Sequence, residues 1–197
     1  MKKRLLFSCR CGEVQGEAHA PGPRIVCMCD DCQSYAHFLG DVPRILDANG
    51  GSDVVPVRPA HLRITRGAER IACMRLGPKG TYRWYAACCR TPIANTMASR
   101  NMPYAGLFHL AIRDGDAGPV RARVQARHGM GELPAGAEPT VSFFTILKLL
   151  RFMLPGFILR QHRPSPFFDE RDRPIVEPQV LTLEERNALR RRVAGGQ

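Results

Sequence analysis

Seven of the eight cysteines in this chain of 197 residues fall into three tight groups. Cys9 and Cys11 form a C-x-C pair, Cys27, Cys29 and Cys32 form a C-x-C-x-x-C triplet, and Cys88 and Cys89 are adjacent; Cys73 stands alone. Thiolates this close in sequence can turn toward one point, which is what a tetrahedral zinc ion asks of its ligands. The triplet offers three thiolates, so a fourth position is left to water or a substrate atom, as in a catalytic zinc site. The alternative is a closed structural site, with His19, His37, His109 or a distant cysteine as the fourth ligand. An all-thiolate site prefers zinc over hard cations. It suits sulfur chemistry, because a thiol on zinc is deprotonated outright.

The other grouped cysteines, Cys9, Cys11, Cys88 and Cys89, are expected to form a second, structural zinc site. Such a site would clip an N-terminal knuckle to a strand far along the chain and stabilise a small fold. Adjacent residues on an extended strand point to opposite faces. Cys88 and Cys89 therefore serve one ion only if the backbone turns there, and Thr91-Pro92 is the expected turn. A vicinal disulfide acting as a redox switch is the strained alternative. Cys73 reads as a small buried hydrophobe.

The elements that must position these groups are mostly short strands. Residues 5–19 read as a β-hairpin carrying the first cysteine pair, and Arg24–Val26 as a strand delivering the triplet. Asp30 and Asp31 look like caps of a short helical turn that follows. Strand patterns recur at 54–57, 62–65, 71–76 and 82–86, with further candidates at 107–112 and 120–126. Short strands at such spacing predict a mainly β core rather than βαβ units. The composition shifts near residue 129, giving a zinc-binding domain over 1–128 and a linker with a helical extension over 129–197. Residues 141–154 are the most apolar stretch. Ser142, Thr145, Lys148 and Arg151 form a narrow polar stripe there at helical spacing, and Pro155-Gly156 is expected to end the helix. Three placements are open for it: docked on the β core, lying in a membrane interface, or in a dimer contact. Thr182 to Glu185 opens a last helix with a capping box.

Lysine and arginine number 29 against 18 acidic residues, a net charge of +11. The excess is arginine scattered along the chain and not interleaved with aromatics, which argues against specific nucleic-acid binding. Weak contact of residues 141–163 with a membrane surface is the remaining electrostatic expectation. The apolar run after the basic N-terminus is too short for a secretory leader. A reducing cytoplasm is thus the expected compartment, where clustered cysteines are read first as metal ligands. Oligomeric state is not legible.

The order of the groups resembles one known family. Cys9-Arg10-Cys11-Gly12, then Cys27-Met28-Cys29-Asp30-Asp31-Cys32, then Cys88-Cys89-Arg90-Thr91-Pro92-Ile93 is similar to the glutathione-dependent formaldehyde-activating enzymes and centromere protein V. The resemblance covers residues 5–125. It implies a β-tent fold of short antiparallel sheets, a catalytic zinc on Cys27, Cys29 and Cys32, and a structural zinc on Cys9 and Cys11 with the later cysteines. It also implies a small thiol substrate and carbon–sulfur lyase chemistry, namely glutathione adding to formaldehyde. Lys79, Arg83 and Arg90 are the proposed contacts for the tripeptide carboxylates. Two departures from the family stand out. In its usual C-x-x-C before Gly-Thr, Ala86 takes the first cysteine position, Cys89 the second, Arg90 replaces the glycine and Cys88 is an extra neighbour; and Gln33 stands where an arginine is common. The competing expectation is a non-catalytic, zinc-stabilised binding module that uses its basic C-terminal segment.

Overall fold

The computed structural model describes residues 3–99 and 101–195, so Met1 and Lys2 of the basic N-terminus lie outside the described residues. The fold is mainly β. Its strands are β1 (Arg4–Ser8), β2 (Gln15–His19), β3 (Arg24–Cys27), β4 (Ser52–Val57), β5 (Leu62–Arg66), β6 (Ile71–Arg75), β7 (Tyr82–Ala86), β8 (Thr91–Thr96), β9 (Ala105–Phe108), β10 (Ile112–Asp114), β11 (Val120–Val124) and β12 (Gln179–Val180). They form a four-stranded sheet ordered β10-β1-β2-β5 and an eight-stranded sheet ordered β11-β3-β4-β9-β8-β7-β6-β12. The helices are α1 (Asp30–Leu39), α2 (Val42–Ile45), α3 (Phe143–Ile158) and α4 (Leu183–Ala194).

Alternation along β7 shows how the core is shared. Tyr82, Trp84 and Ala86 join the apolar cluster between the two sheets, with Leu5 and Phe7 from the small sheet and Val14 from the β1–β2 connection. Tyr85 joins a second cluster, where Tyr35 and Leu39 of α1 and Leu189 of α4 cover the opposite face of the large sheet. Arg83 shares that face by the two-residue period. The tail also enters the core. Phe167 is fully buried and stacks on Trp84 at 4.8 Å between ring centroids, and β12 pairs with β6 at Gln179↔Met74.

The last helix starts with the expected capping box. Thr182 Oγ1 accepts from the Glu185 N–H at 3.2 Å, and the Glu185 carboxylate accepts from the Thr182 N–H at 2.8 Å. Other expectations need correction. Asp30 and Asp31 are not the caps of α1: Cys29 takes that position, and the two aspartates lie in the first turn beside the positive helix end. The expected strand over 107–112 is divided, since a 3-10 turn at His109–Ala111 separates β9 from β10. The expected turn at Thr91-Pro92 is instead the start of β8, and the turn occupies 87–90. Pro92 sits opposite Tyr85 where the β7–β8 register shifts, a break in the ladder that tolerates a missing N–H.

Helix α3 does not stop at Pro155. The Leu159 N–H donates to the Pro155 carbonyl at 2.9 Å, and the turn continues to Ile158. Pro155 leaves the Arg151 carbonyl without its helical donor, at a residue that is exposed. The helix is held by its narrow side. Thr145, Met153 and Gly156 are its buried residues. The Thr145 hydroxyl donates to the Glu138 carboxylate at 2.7 Å, and the Arg58 guanidinium donates to the Phe152 carbonyl at 2.8 Å. Most of its large apolar side chains face outward. Among the described residues, no helix is long and apolar enough to cross a membrane.

Candidate metal centres and the adjoining pocket

The four-sulfur group forms where two distant turns meet. Cys9 and Cys11 lie in the connection between β1 and β2. Cys88 and Cys89 lie in the turn after β7, where the Arg90 N–H donates to the Ala86 carbonyl at 2.8 Å. This turn resolves the problem of adjacent ligands, because the backbone is no longer extended at the pair. Arg90 adopts φ 56° there, the left-handed region that favours glycine. Its guanidinium compensates with donors to the Leu39 carbonyl at 3.0 Å and to the Phe38 carbonyl, tying the turn to the end of α1.

The sulfur separations suit a tetrahedral ion. Cys9–Cys11 is 3.6 Å, Cys9–Cys88 is 3.9 Å, Cys11–Cys88 is 3.3 Å and Cys88–Cys89 is 3.9 Å. A tetrahedron with metal–sulfur arms of about 2.3 Å has edges of about 3.8 Å. All four cysteines are free thiols, and the donor set fits a structural metal ion. Burial pushes the Cys89 thiol up, but hydrogen bonds from the Thr91 hydroxyl and from the Cys11 and Thr91 backbone outweigh it, and the value falls to about 6. One sulfur of the group therefore already favours the thiolate that a metal requires.

The second group sits at the junction of β3 and α1. Cys27 ends the strand, Cys29 caps the helix, and Cys32 lies in its first turn. Their sulfurs lie within 4.8 Å of one another. The loop is held from outside: the Met28 N–H donates to the Val124 carbonyl at 3.0 Å, and Gln33 Nε2 donates to the carbonyls of Met28 and His128 at 2.7 and 2.8 Å. Gln33 thus braces the loop rather than facing a ligand. The contact with Cys29, together with burial, pushes Cys27 up to about 12. The contact with Cys27 lowers Cys29, but Cys32 and burial outweigh it and raise it to about 12. The contact with Cys27, then burial, takes Cys32 to about 12. Three thiols so poised are protonated at neutral pH without a metal, and they give them up together to a cation that replaces the protons. This group can also hold a metal ion. None of His19, His37 and His109 joins the sulfur cluster.

The triplet forms one wall of a cavity of about 380 Å³. Arg83, Asn95, Thr96 and Tyr104 contribute polar groups, while Met97 and Met102, with Leu149 and Met153 of α3, contribute apolar ones. Arg83 is only 4% exposed, lies over the Tyr35 ring at 5.2 Å, and leaves Nε and Nη1 without a hydrogen-bond partner. Burial works against its charge, but Cys32 and Cys29 in their thiolate form, with Asp31, outweigh burial and hold it on. Asn95 Oδ1 is likewise buried and unpartnered. Gly106 keeps room for this wall, since a Cβ there would lie 2.9 Å from the Tyr104 hydroxyl.

The structure separates the three basic residues read from the sequence. Arg83 lines the cavity beside the triplet. Lys79 lines a different depression with Asp31, Arg186 and Arg190. Arg90 is engaged with the end of α1. Asn95, Tyr104 and Met153 carry no local motif. They reach the cavity from β8, the segment before β9 and α3, so only the tertiary fold assembles them.

Comparison with known proteins adds little about chemistry. No curated protein matches the sequence. Among solved structures, a Rhodobacter sphaeroides protein determined by crystallography in a structural genomics programme is 20% identical, with a TM-score of 0.41, over 58% of this chain and 96% of that one. A family of unknown function, DUF6151, matches residues 1–178, across the cysteine groups, the cavity wall and Phe167, and the chain belongs to that family.

Proposed function

We propose that this protein is a zinc enzyme of carbon–sulfur bond chemistry, acting on a small thiol that carries a carboxylate, such as glutathione, or on its aldehyde adduct. The observation that carries the reading is the meeting of three cysteine sulfurs with a buried, unpartnered Arg83 in one cavity. The resemblance of the cysteine groups to the glutathione-dependent formaldehyde-activating enzymes supports the same choice and a reducing, cytoplasmic setting. Cys27, Cys29 and Cys32 would hold the catalytic zinc, and Cys9, Cys11, Cys88 and Cys89 the structural one. When bound at the triplet, zinc supplies a Lewis acid that favours the ionised form of a thiol.

The remaining work falls to the chain. Arg83 offers two free N–H donors to a carboxylate, a charge-assisted pairing that positions the thiol. Asn95 Oδ1 accepts from an amide N–H of the same molecule. Tyr104 lines the same cavity, and its hydroxyl is the donor available to the aldehyde oxygen. In the addition, the thiol sulfur bonds to the formaldehyde carbon, the carbonyl π bond breaks, and the thiol proton ends on the new hydroxymethyl oxygen. In the lyase direction the same bonds are reversed.

The test is turnover of glutathione and formaldehyde by the zinc-loaded protein, followed by loss of free formaldehyde. Cys29→Ala is expected to abolish the protein-dependent rate, and equal rates with and without the substitution would remove the triplet from the chemistry. Arg83→Lys is expected to raise KM for glutathione by about tenfold to a hundredfold, the loss of a charged hydrogen bond. It should leave KM for a thiol without carboxylates unchanged. A general loss of kcat with both thiols would mean that Arg83 only supports the fold.

A further inference from the structure

Helix α3 presents an apolar surface that the fold leaves open. Nine of the fourteen large apolar side chains exposed among the described residues lie between 143 and 159. Phe143 and Phe144 are 72% and 71% exposed at its start, Leu150 and Leu154 are 52% and 60% exposed along it, and Ile158 is 72% exposed at its end. An uncovered apolar face of this extent marks an interaction surface. The inner side is already engaged with Glu138 and Arg58, so the outer side is free for a partner.

Charge selects the partner. Residues 141–163 contain Lys148, Arg151, Arg160 and Arg163 and no acidic residue. Arg163 is paired with Asp172, which leaves Lys148, Arg151 and Arg160 as the cationic rim, all exposed. A second copy packed on this face would bring like charges together, because a two-fold interface sets the same patch against itself. Anionic lipid headgroups complement the rim instead, while the phenylalanines and leucines enter the acyl boundary. The helix has 16 residues, a length of about 24 Å, short of the hydrocarbon thickness of about 30 Å. It suits lying in the interface rather than crossing it.

We propose that α3 is an interfacial anchor that seats this protein on an anionic bilayer surface. Full-length protein is mixed with vesicles of phosphatidylglycerol and phosphatidylcholine in equal parts, or of phosphatidylcholine alone, and floated at low and high salt. Its oligomeric state is read by light scattering. The expected result is a monomer that floats with the anionic vesicles, loses at least about tenfold in binding to neutral ones or at high salt, and loses as much when L150D and L154D are combined. Both leucines are exposed, so the variant should keep its far-ultraviolet circular dichroism. Failure to float with either vesicle overturns the proposal. So does equal binding to both, retention of binding by the folded double variant, or a stable dimer that this variant dissolves.

Discussion

Cys88→Ala is expected to lower the melting temperature by about 6–12 °C, corresponding to about 3 kcal/mol in a chain of this length. Cys88 is an exposed residue, so its truncation removes little packing, and a loss of this size has to come from the metal. The four sulfurs join the β1–β2 connection to the β7 turn, and Cys88 lies within 3.9 Å of each of three other sulfurs. A structural zinc contributes binding energy directly to folding, up to about 10–16 kcal/mol in small peptides. Even a fraction of that is large against a domain stability of about 5–15 kcal/mol. A strong chelator should bring wild type and variant to a common melting point, with the larger fall in wild type, which has both ions to lose. Thermal unfolding followed with and without chelator makes the comparison. A variant that melts with wild type, and a wild type indifferent to chelator, would mean that the group is four ordinary thiols.

The second large effect is expected at Phe167. Its replacement by alanine should cost about 3–5 kcal/mol, the range for truncating a buried aromatic. The ring is fully buried, stacks on Trp84 at 4.8 Å, and has Phe168 set edge-on to the same indole at 5.6 Å. Trp84 is itself fixed by a donor from Nε1 to Thr96 Oγ1 at 2.9 Å, so the vacated space cannot close by a simple rotation of the indole. Phe144→Ala is the control: at 71% exposure its expected change is within about 0.5 kcal/mol. Denaturant unfolding of both variants measures the difference. Equal, small losses would mean that the tail lies on the core without stabilising it.

The strands were legible where alternation is bounded by glycine or proline, as in the hairpin of β1 and β2 and in β7. Strand β8 was not, because Thr91-Pro92 carries turn chemistry and only the irregular register against Tyr85 makes a proline acceptable there. The periodicity of α3 was legible and its orientation was not. A narrow polar stripe normally faces water, but here Thr145 finds Glu138 on the inside, and a contact of that kind has no sequence period. The cysteine groups could be read from spacing alone, since each pair or triplet is local. That both Cys88 and Cys89 reach one centre depends on the left-handed backbone at Arg90, a residue type that gives no sign of it. The cavity beside the triplet was legible only through Arg83; the alternation of β7 puts it on the face of α1, whereas its other walls come from separate elements.

Metal analysis of the purified full-length protein, after exchange into zinc-containing buffer and removal of loosely bound ions, shows whether both sulfur groups hold zinc. Two zinc ions per chain are expected in wild type, one in Cys29→Ser and one in Cys88→Ser, each variant emptying its own centre. A wild-type protein that retains no zinc, or a Cys29→Ser variant that keeps both ions, would contradict this assignment.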